Sequence, residues 1–139
     1  MPGVVPVQPR TKVYGANESL SEPDSNSGRL LLTATDGESL AGYLLATLGW
    51  NGCVHIDDLA ISRSYRRAGI GKRLMDEAVA WAAVLKLRAI RLETQSTNVP
   101  ACRFFARYGF VRGGPDRYLY SQLDEDVRGE VALYWYLFL

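Results

Sequence analysis

The sequence predicts an α/β domain of the mixed α+β kind: a mixed, largely antiparallel sheet of about six strands carrying two main helices. Three observations lead there. Apolar runs of strand length recur from Arg29 onward, two stretches of helical period follow, and these alternate with strands without any internal repeat. At 139 residues the chain fits one core, and 47% hydrophobic with 22% charged residues excludes disordered, collagenous and coiled-coil classes. The 16 Lys and Arg against 15 Asp and Glu leave a net charge of +1, so the whole molecule has no strong pull toward nucleic acid or anionic membrane.

Taken in order, residues 1–28 hold Pro2, Pro6, Pro9 and Pro23 and a polar stretch from Asn17 to Gly28, which bury too little apolar surface to offset ordering. They are expected to form an extended arm with a mobile loop, ahead of a domain spanning 29–139. Leu30–Ala34, Gly42–Leu48 and Val54–Ile61 have strand texture, and Asn51-Gly52 between the last two predicts a tight type I′ hairpin. From Gly69 the period lengthens: Ile70, Leu74, Ala78, Trp81 and Leu85 recur at helical spacing, with Lys72, Arg73, Asp76 and Glu77 on the wet side. A strand is expected at Ala89–Thr94. Asn98 then caps a second helix with Pro100 in its first turn; Ala101, Phe104, Phe105 and Tyr108 supply its apolar contacts, and Gly109 closes it. Two last strands are expected at Arg117–Tyr120 and Glu130–Leu137, joined by the acidic turn Asp124-Glu125-Asp126.

Chemistry concentrates at the junction of a strand with the first helix. Residues 62–73 carry Arg63, Arg66, Arg67, Lys72 and Arg73 and no anion, while Gly69 and Gly71 let backbone approach a ligand at a helix start, where free N–H groups and the dipole favour an anion. A Walker loop is excluded because Arg73 follows Lys72 and Arg66 stands where its first Gly belongs, and a dinucleotide fingerprint fails at Leu74. The pattern Arg66-x-x-Gly69-x-Gly71 after an apolar strand resembles the pyrophosphate loop of the GNAT superfamily of acetyl-CoA-dependent N-acetyltransferases. Asp58-Leu59-Ala60-Ile61 resembles the superfamily's strand that pairs with the pantetheine arm, and Asn98-x-x-Ala101-x-x-Phe104-Phe105-x-x-x-Gly109-Phe110 its cofactor-side helix. Trp50-Asn51-Gly52, Leu92-Glu93-Thr94-Gln95, Asn98-Val99-Pro100-Ala101-Cys102 and Ala132-Leu133-Tyr134-Trp135-Tyr136 narrow the likeness to the streptothricin acetyltransferases.

The resemblance implies a GNAT-like acyl-CoA N-acyltransferase fold, acetyl-CoA as acetyl donor, and direct transfer to an amine. A lysine-like amine of pKa near 10.4 is neutral in roughly one molecule per 2,500 at pH 7, a deficit of about 4.6 kcal/mol that the site must help overcome. By the same resemblance Leu59, Ala60, Ile61, Arg66, Arg67, Ala68, Gly69, Ile70, Gly71, Lys72, Asn98, Ala101 and Phe105 hold the cofactor. Asp57 is the leading base, acting through water, with Glu93 beside it as a catalytic candidate. Asp58, Asp116 and Glu130 are expected to bind ammonium groups of a small cationic substrate. Asp57 and Asp58 are adjacent on a strand, so at most one is expected to face the acceptor cleft. For all these acids, pairing with neighbours or capping turns is the structural alternative.

One position departs from the family pattern. Phe105 stands where a Tyr usually protonates the leaving thiolate, and Tyr108, three residues on, is the expected substitute; the thiolate leaving unaided is the other route. Cys102 is expected to pack as a small core residue, His55 to be a strand residue with at most a minor role beside Asp57, and Trp50, Trp81 and Trp135 to be core or sheet-face residues. Two separated cysteines and one histidine support neither a disulfide framework nor a metal site. No apolar run approaches the roughly 20 residues of a membrane span, so a cytoplasmic enzyme without nucleic-acid or membrane partners is expected. Streptothricin-like acceptors compete with polyamine, peptide or metabolite amines, and with a non-catalytic acetyl-CoA-binding module. Relatives of this kind begin with a strand and two helices that wall the acceptor side; the chain is expected to lack them, so that either a truncated or misassigned start impairs activity or a partner subunit, in a homodimer, completes the pocket.

Overall fold

The computed structural model describes residues 12–14, 28–123 and 125–139. The rest of the expected N-terminal arm, residues 1–11 and 15–27, lies outside the described residues, as does Asp124 of the expected acidic turn. Within that arm, however, Lys12–Tyr14 forms an edge strand, β1, paired antiparallel with the strand that opens the domain. That strand, β2 (Arg29–Asp36), continues into β3 (Ser39–Leu48) and β4 (Val54–Ile61) as an antiparallel meander. Then come α1 (Ile70–Val84), β5 (Ala89–Gln95), α2 (Val99–Tyr108), β6 (Val111–Asp116), the single turn α3 (Glu125–Arg128) and β7 (Ala132–Phe138). The described strands form one sheet in the order β1-β2-β3-β4-β5-β7-β6, one more strand than the approximate expectation.

Only β4 and β5 run parallel, over Val54↔Ile90, His55↔Arg91 and Ile56↔Leu92. Beyond Ile56 the pair separates, and this split creates the site. α1 covers the face of the sheet bearing Leu30, Leu32, Leu44, Ile90 and Leu92, and buries Ile70, Leu74, Met75, Ala78, Trp81 and Ala82 against it, as its helical period predicts. α2 is capped as expected: Asn98 Oδ1 accepts from Ala101 N at 3.2 Å, and Gly109 ends it at φ 123°. Thr94 is one of the few buried polar residues, and its hydroxyl accepts from the buried Trp135 indole at 3.0 Å.

Four expectations are corrected. The β3–β4 hairpin exists, but its turn runs through five residues, 49–53, rather than two. Gly52 alone takes positive φ (81°), while Asn51 spends its side chain accepting from Cys53 N. The penultimate strand is Val111–Asp116, and Arg117–Tyr120 is a turn begun by the Asp116 carboxylate accepting from Tyr118 N at 3.1 Å. The expected acidic turn is partly helical, as α3. Trp81 and Trp135 are buried, but Trp50 caps the β3–β4 turn at 98% exposure. No helix among the described residues is long and apolar enough to cross a membrane.

Candidate active site

At the end of β4 the chain turns through Ser62 and a short 3-10 turn, Arg63–Tyr65, before α1. Both ends of this passage are pinned. Ser62 N donates to Ala41 O at 2.7 Å and its hydroxyl to Leu40 O, while the Tyr65 hydroxyl donates to Asp36 at 3.0 Å. Arg67 (φ 66°) and Gly69 (φ 80°) then both take the left-handed conformation and curl the backbone into the helix. α1 has no side-chain cap, so the N–H groups of its first turn, which no helix supplies with partners, stay available to an anion. A Cβ at Gly69 would meet nothing within 4 Å; one at Gly71 would touch the Phe104 ring at 3.4 Å. Gly69 therefore lies against open space, while Gly71 lets α1 and α2 approach. Arg66 Nε donates to Ile61 O at 3.3 Å, and Lys72 pairs with Asp76 at 3.0 Å.

Next to this basic loop, the separating strands open a cleft of about 310 Å³ lined by Ile56, Asp57, Asp58 and Leu59 from β4, Leu92 to Gln95 from β5, Asn98, Ala101 and Phe105 at the α2 side, and Tyr120. On the side facing β5, the backbone of β4 past Ile56 has no strand partner, which leaves amide groups free to pair with an extended amide-bearing ligand. The open Gly69 turn, the uncapped α1 and this free strand edge together fit a pyrophosphate joined to a pantetheine-like arm.

The opposite side of the cleft is acidic, and a bulge explains why. Leu45 pairs with Asp58 and Ala46 with Ile56, so Asp57 is the extra residue, and both aspartates line the cleft. The expectation that strand alternation admits only one fails here because a bulge suspends alternation. Asp58 accepts from the Tyr43 hydroxyl at 2.5 Å, and that bond, with burial adding, raises the Tyr43 phenol above its ordinary range. Glu93 accepts a short hydrogen bond from Tyr120. Burial first, and then this bond and the Glu93 charge, push the Tyr120 phenol strongly upward, so it stays protonated. Among the described residues, Asp57 has His55 beside it, Nε2 to Oδ1 3.8 Å.

The structure therefore brings Asp57, Asp58, Leu59, Glu93, Asn98, Ala101 and Phe105 to one cleft, with residues 66–72 forming the adjoining loop. Tyr108, Asp116 and Glu130 do not line the cleft. The Tyr108 hydroxyl donates to Asp76 of α1 at 2.5 Å. Asp116 caps the turn after β6, and Glu130 accepts from Thr97 at 2.5 Å, tying the start of β7 to the end of β5. Glu130 still adds to the upward push on Tyr120, and Asp116 to that on Tyr134, whose largest cause is burial. Sequence reasoning missed Tyr120: the alternation Tyr118-Leu119-Tyr120 imitates a strand, and only the Asp116 turn carries this phenol back to β5.

Residues 6–110 match the Acetyltransferase (GNAT) family. A streptothricin acetyltransferase of Escherichia coli is 35% identical over 132 residues, 95% of this chain and 72% of the relative; streptothricin acetyltransferase A of Bacillus subtilis is 38% identical over 68% of this chain and 54% of its own. An acetyltransferase of Bacillus anthracis, solved in complex with acetyl coenzyme A, superposes with a TM-score of 0.78 at 35% identity, covering 86% of this chain and 65% of that one. The chain thus spans between about half and three-quarters of these relatives' lengths. The pinned basic loop, the split between β4 and β5 and these matches agree on one conclusion: the chain belongs to the GNAT family of acetyltransferases, enzymes that use acetyl-CoA as acetyl donor.

Proposed function

We propose that this protein moves an acetyl group from acetyl-CoA to a primary amine of a streptothricin-like acceptor by direct attack. The observation that carries the reading is one cleft with a basic, uncapped helix start at its flank and three carboxylates, Asp57, Asp58 and Glu93, in its lining. The names of its relatives favour the same acceptor. Acetyl-CoA supplies the acetyl group and departs as the thiol. The Gly69 turn and the first turn of α1 hold its phosphates, and β4 from Leu59 to Ile61 orients the arm by backbone pairing. Asp58 and Glu93, each fixed by a phenol, bind ammonium groups of a polycationic acceptor; Asp57, which no described hydroxyl engages, accepts the amine proton through water. We also propose a homodimer, supported by the apolar surface described below.

Thiol release measured with acetyl-CoA and a panel of amines tests this. Release with streptothricin, and not with polyamines or peptides, is the expected outcome. Release only with another amine replaces the acceptor, and acetyl-CoA binding without turnover on any amine identifies a binding module instead.

A further inference from the structure

We propose that Tyr120 and Glu93 form an internal proton path that delivers to the leaving sulfur the proton Phe105 has no means to give. The inference rests on the acetyl-transfer reading. An ammonium acceptor that becomes an amide loses two protons: one ends on the thiol and one in solvent. The site therefore needs two routes. Asp57, at the bulge beside His55 and with its carboxylate about a third exposed, is the outlet to water.

The second proton must come from a group in the cleft. Phe105 offers only carbon. The Thr94 hydroxyl sits between the Trp135 indole and Cys102 Sγ, and Asn98 Oδ1 is occupied in capping α2. Tyr108 is engaged by Asp76 and does not line the cleft. That leaves Tyr120, the one phenol in the cleft lining among the described residues, in a space of about 310 Å³. A phenol keeps its proton at neutral pH until a thiolate forms beside it, whereas a carboxylic acid would already have given its proton away.

The step balances. As the C–N bond forms and the C–S bond breaks, the C–S electron pair goes to sulfur, which takes the proton of Tyr120 Oη. The surplus proton of the amine nitrogen passes to Glu93 and crosses the existing hydrogen bond to Tyr120, restoring phenol and carboxylate. Pairing with Glu93 makes this sequence feasible, since a lone phenolate beside Glu93 would be repelled, whereas a proton arriving on Glu93 removes that repulsion as the phenol gives its own away.

Tyr120→Phe keeps the ring and removes the proton. It is expected to lower kcat roughly 100-fold, the scale of one general acid, with KM for acetyl-CoA unchanged. Adding Phe105→Tyr to that variant returns a hydroxyl to the same cleft and should recover part of kcat. A readout without cofactor is carbon NMR of the tyrosine rings, the Tyr120 signal being the one that Tyr120→Phe removes. That signal should move when the protein is acidified and stay still in Glu93→Gln. Unchanged kcat in Tyr120→Phe, a loss that appears in KM or is not rescued by Phe105→Tyr, or a Tyr120 signal blind to Glu93 would each overturn the path while leaving acetyl transfer intact. Wild-type protein that releases no thiol with any amine overturns both.

Discussion

Gly69 holds φ at 80°, with nothing within 4 Å of where a Cβ would stand. Its requirement is conformational, since a side chain there has room but the left-handed backbone costs an L-residue about 1–2 kcal/mol. Gly69→Ala should therefore lower stability by about 1 kcal/mol, read as a lower urea midpoint at unchanged slope, and weaken acetyl-CoA binding as the turn relaxes. At Gly71 a Cβ would stand 3.4 Å from the Phe104 ring, at the edge of ordinary contact, so the helices already pack closely there. Both glycines are visible in the sequence as a local pattern, and so is the Asn98 cap, because each meets a demand of its own backbone. The bulge at Asp57 is not visible. It arises from how β3 and β4 slip past one another, and a two-residue alternation rule has no term for that slip.

At the scale of elements, a polar contact joins α1 and α2 at their surface. Asp76 accepts from Tyr108 at 2.5 Å and pairs with Lys72 at 3.0 Å. Burial pushes the Asp76 carboxyl upward, but the two hydrogen bonds and the Lys72 charge together hold it below its ordinary value. A carboxylate depressed in the folded state adds stability above its unfolded pKa, near 3.8, and loses that contribution as the pH falls through the folded value. Tyr108→Phe should thus cost about 1 kcal/mol near neutrality, the scale of one hydrogen bond. The gap between wild type and variant should close in acid, and urea unfolding at several pH values would show it. A gap that persists unchanged below the carboxylate range would locate the effect in ring packing instead. Helices were the most legible elements because an apolar stripe at period 3.6 is hard to imitate. β6 was the least legible: Gly113, Gly114 and Pro115 suppress strand character, yet an edge strand bonded on one side only tolerates them. Gly113 is required there because a Cβ would lie 2.4 Å from the Tyr136 ring.

For the molecule as a whole, the transverse row Leu48↔Val54, Val54↔Ile90 and Ile90↔Leu137 marks the pole opposite the cleft. The end of β3, the end of β7 and, because α1 runs back along the sheet, the end of α1 all lie there. Each leaves an apolar side chain uncovered: Trp50 at 98% exposure, Val84 at 77% and Phe138 at 69%, with Leu48 and Leu139 partly exposed beside them. An apolar pole of this kind on a chain of net charge +1, with little charge repulsion between copies, favours self-association. The proposed homodimer is therefore placed at this pole, where it leaves the cleft open and contributes nothing to it, in contrast to a partner that completes the acceptor pocket. Trp50→Glu sets a charge on that surface at an exposed turn, where folding has no stake in the indole. Sedimentation should find a dimer for the wild type and a monomer for the variant, with equal thiol release from both. A monomeric wild type removes this assembly, and a variant that loses the dimer and turnover together returns the partner subunit to the acceptor side.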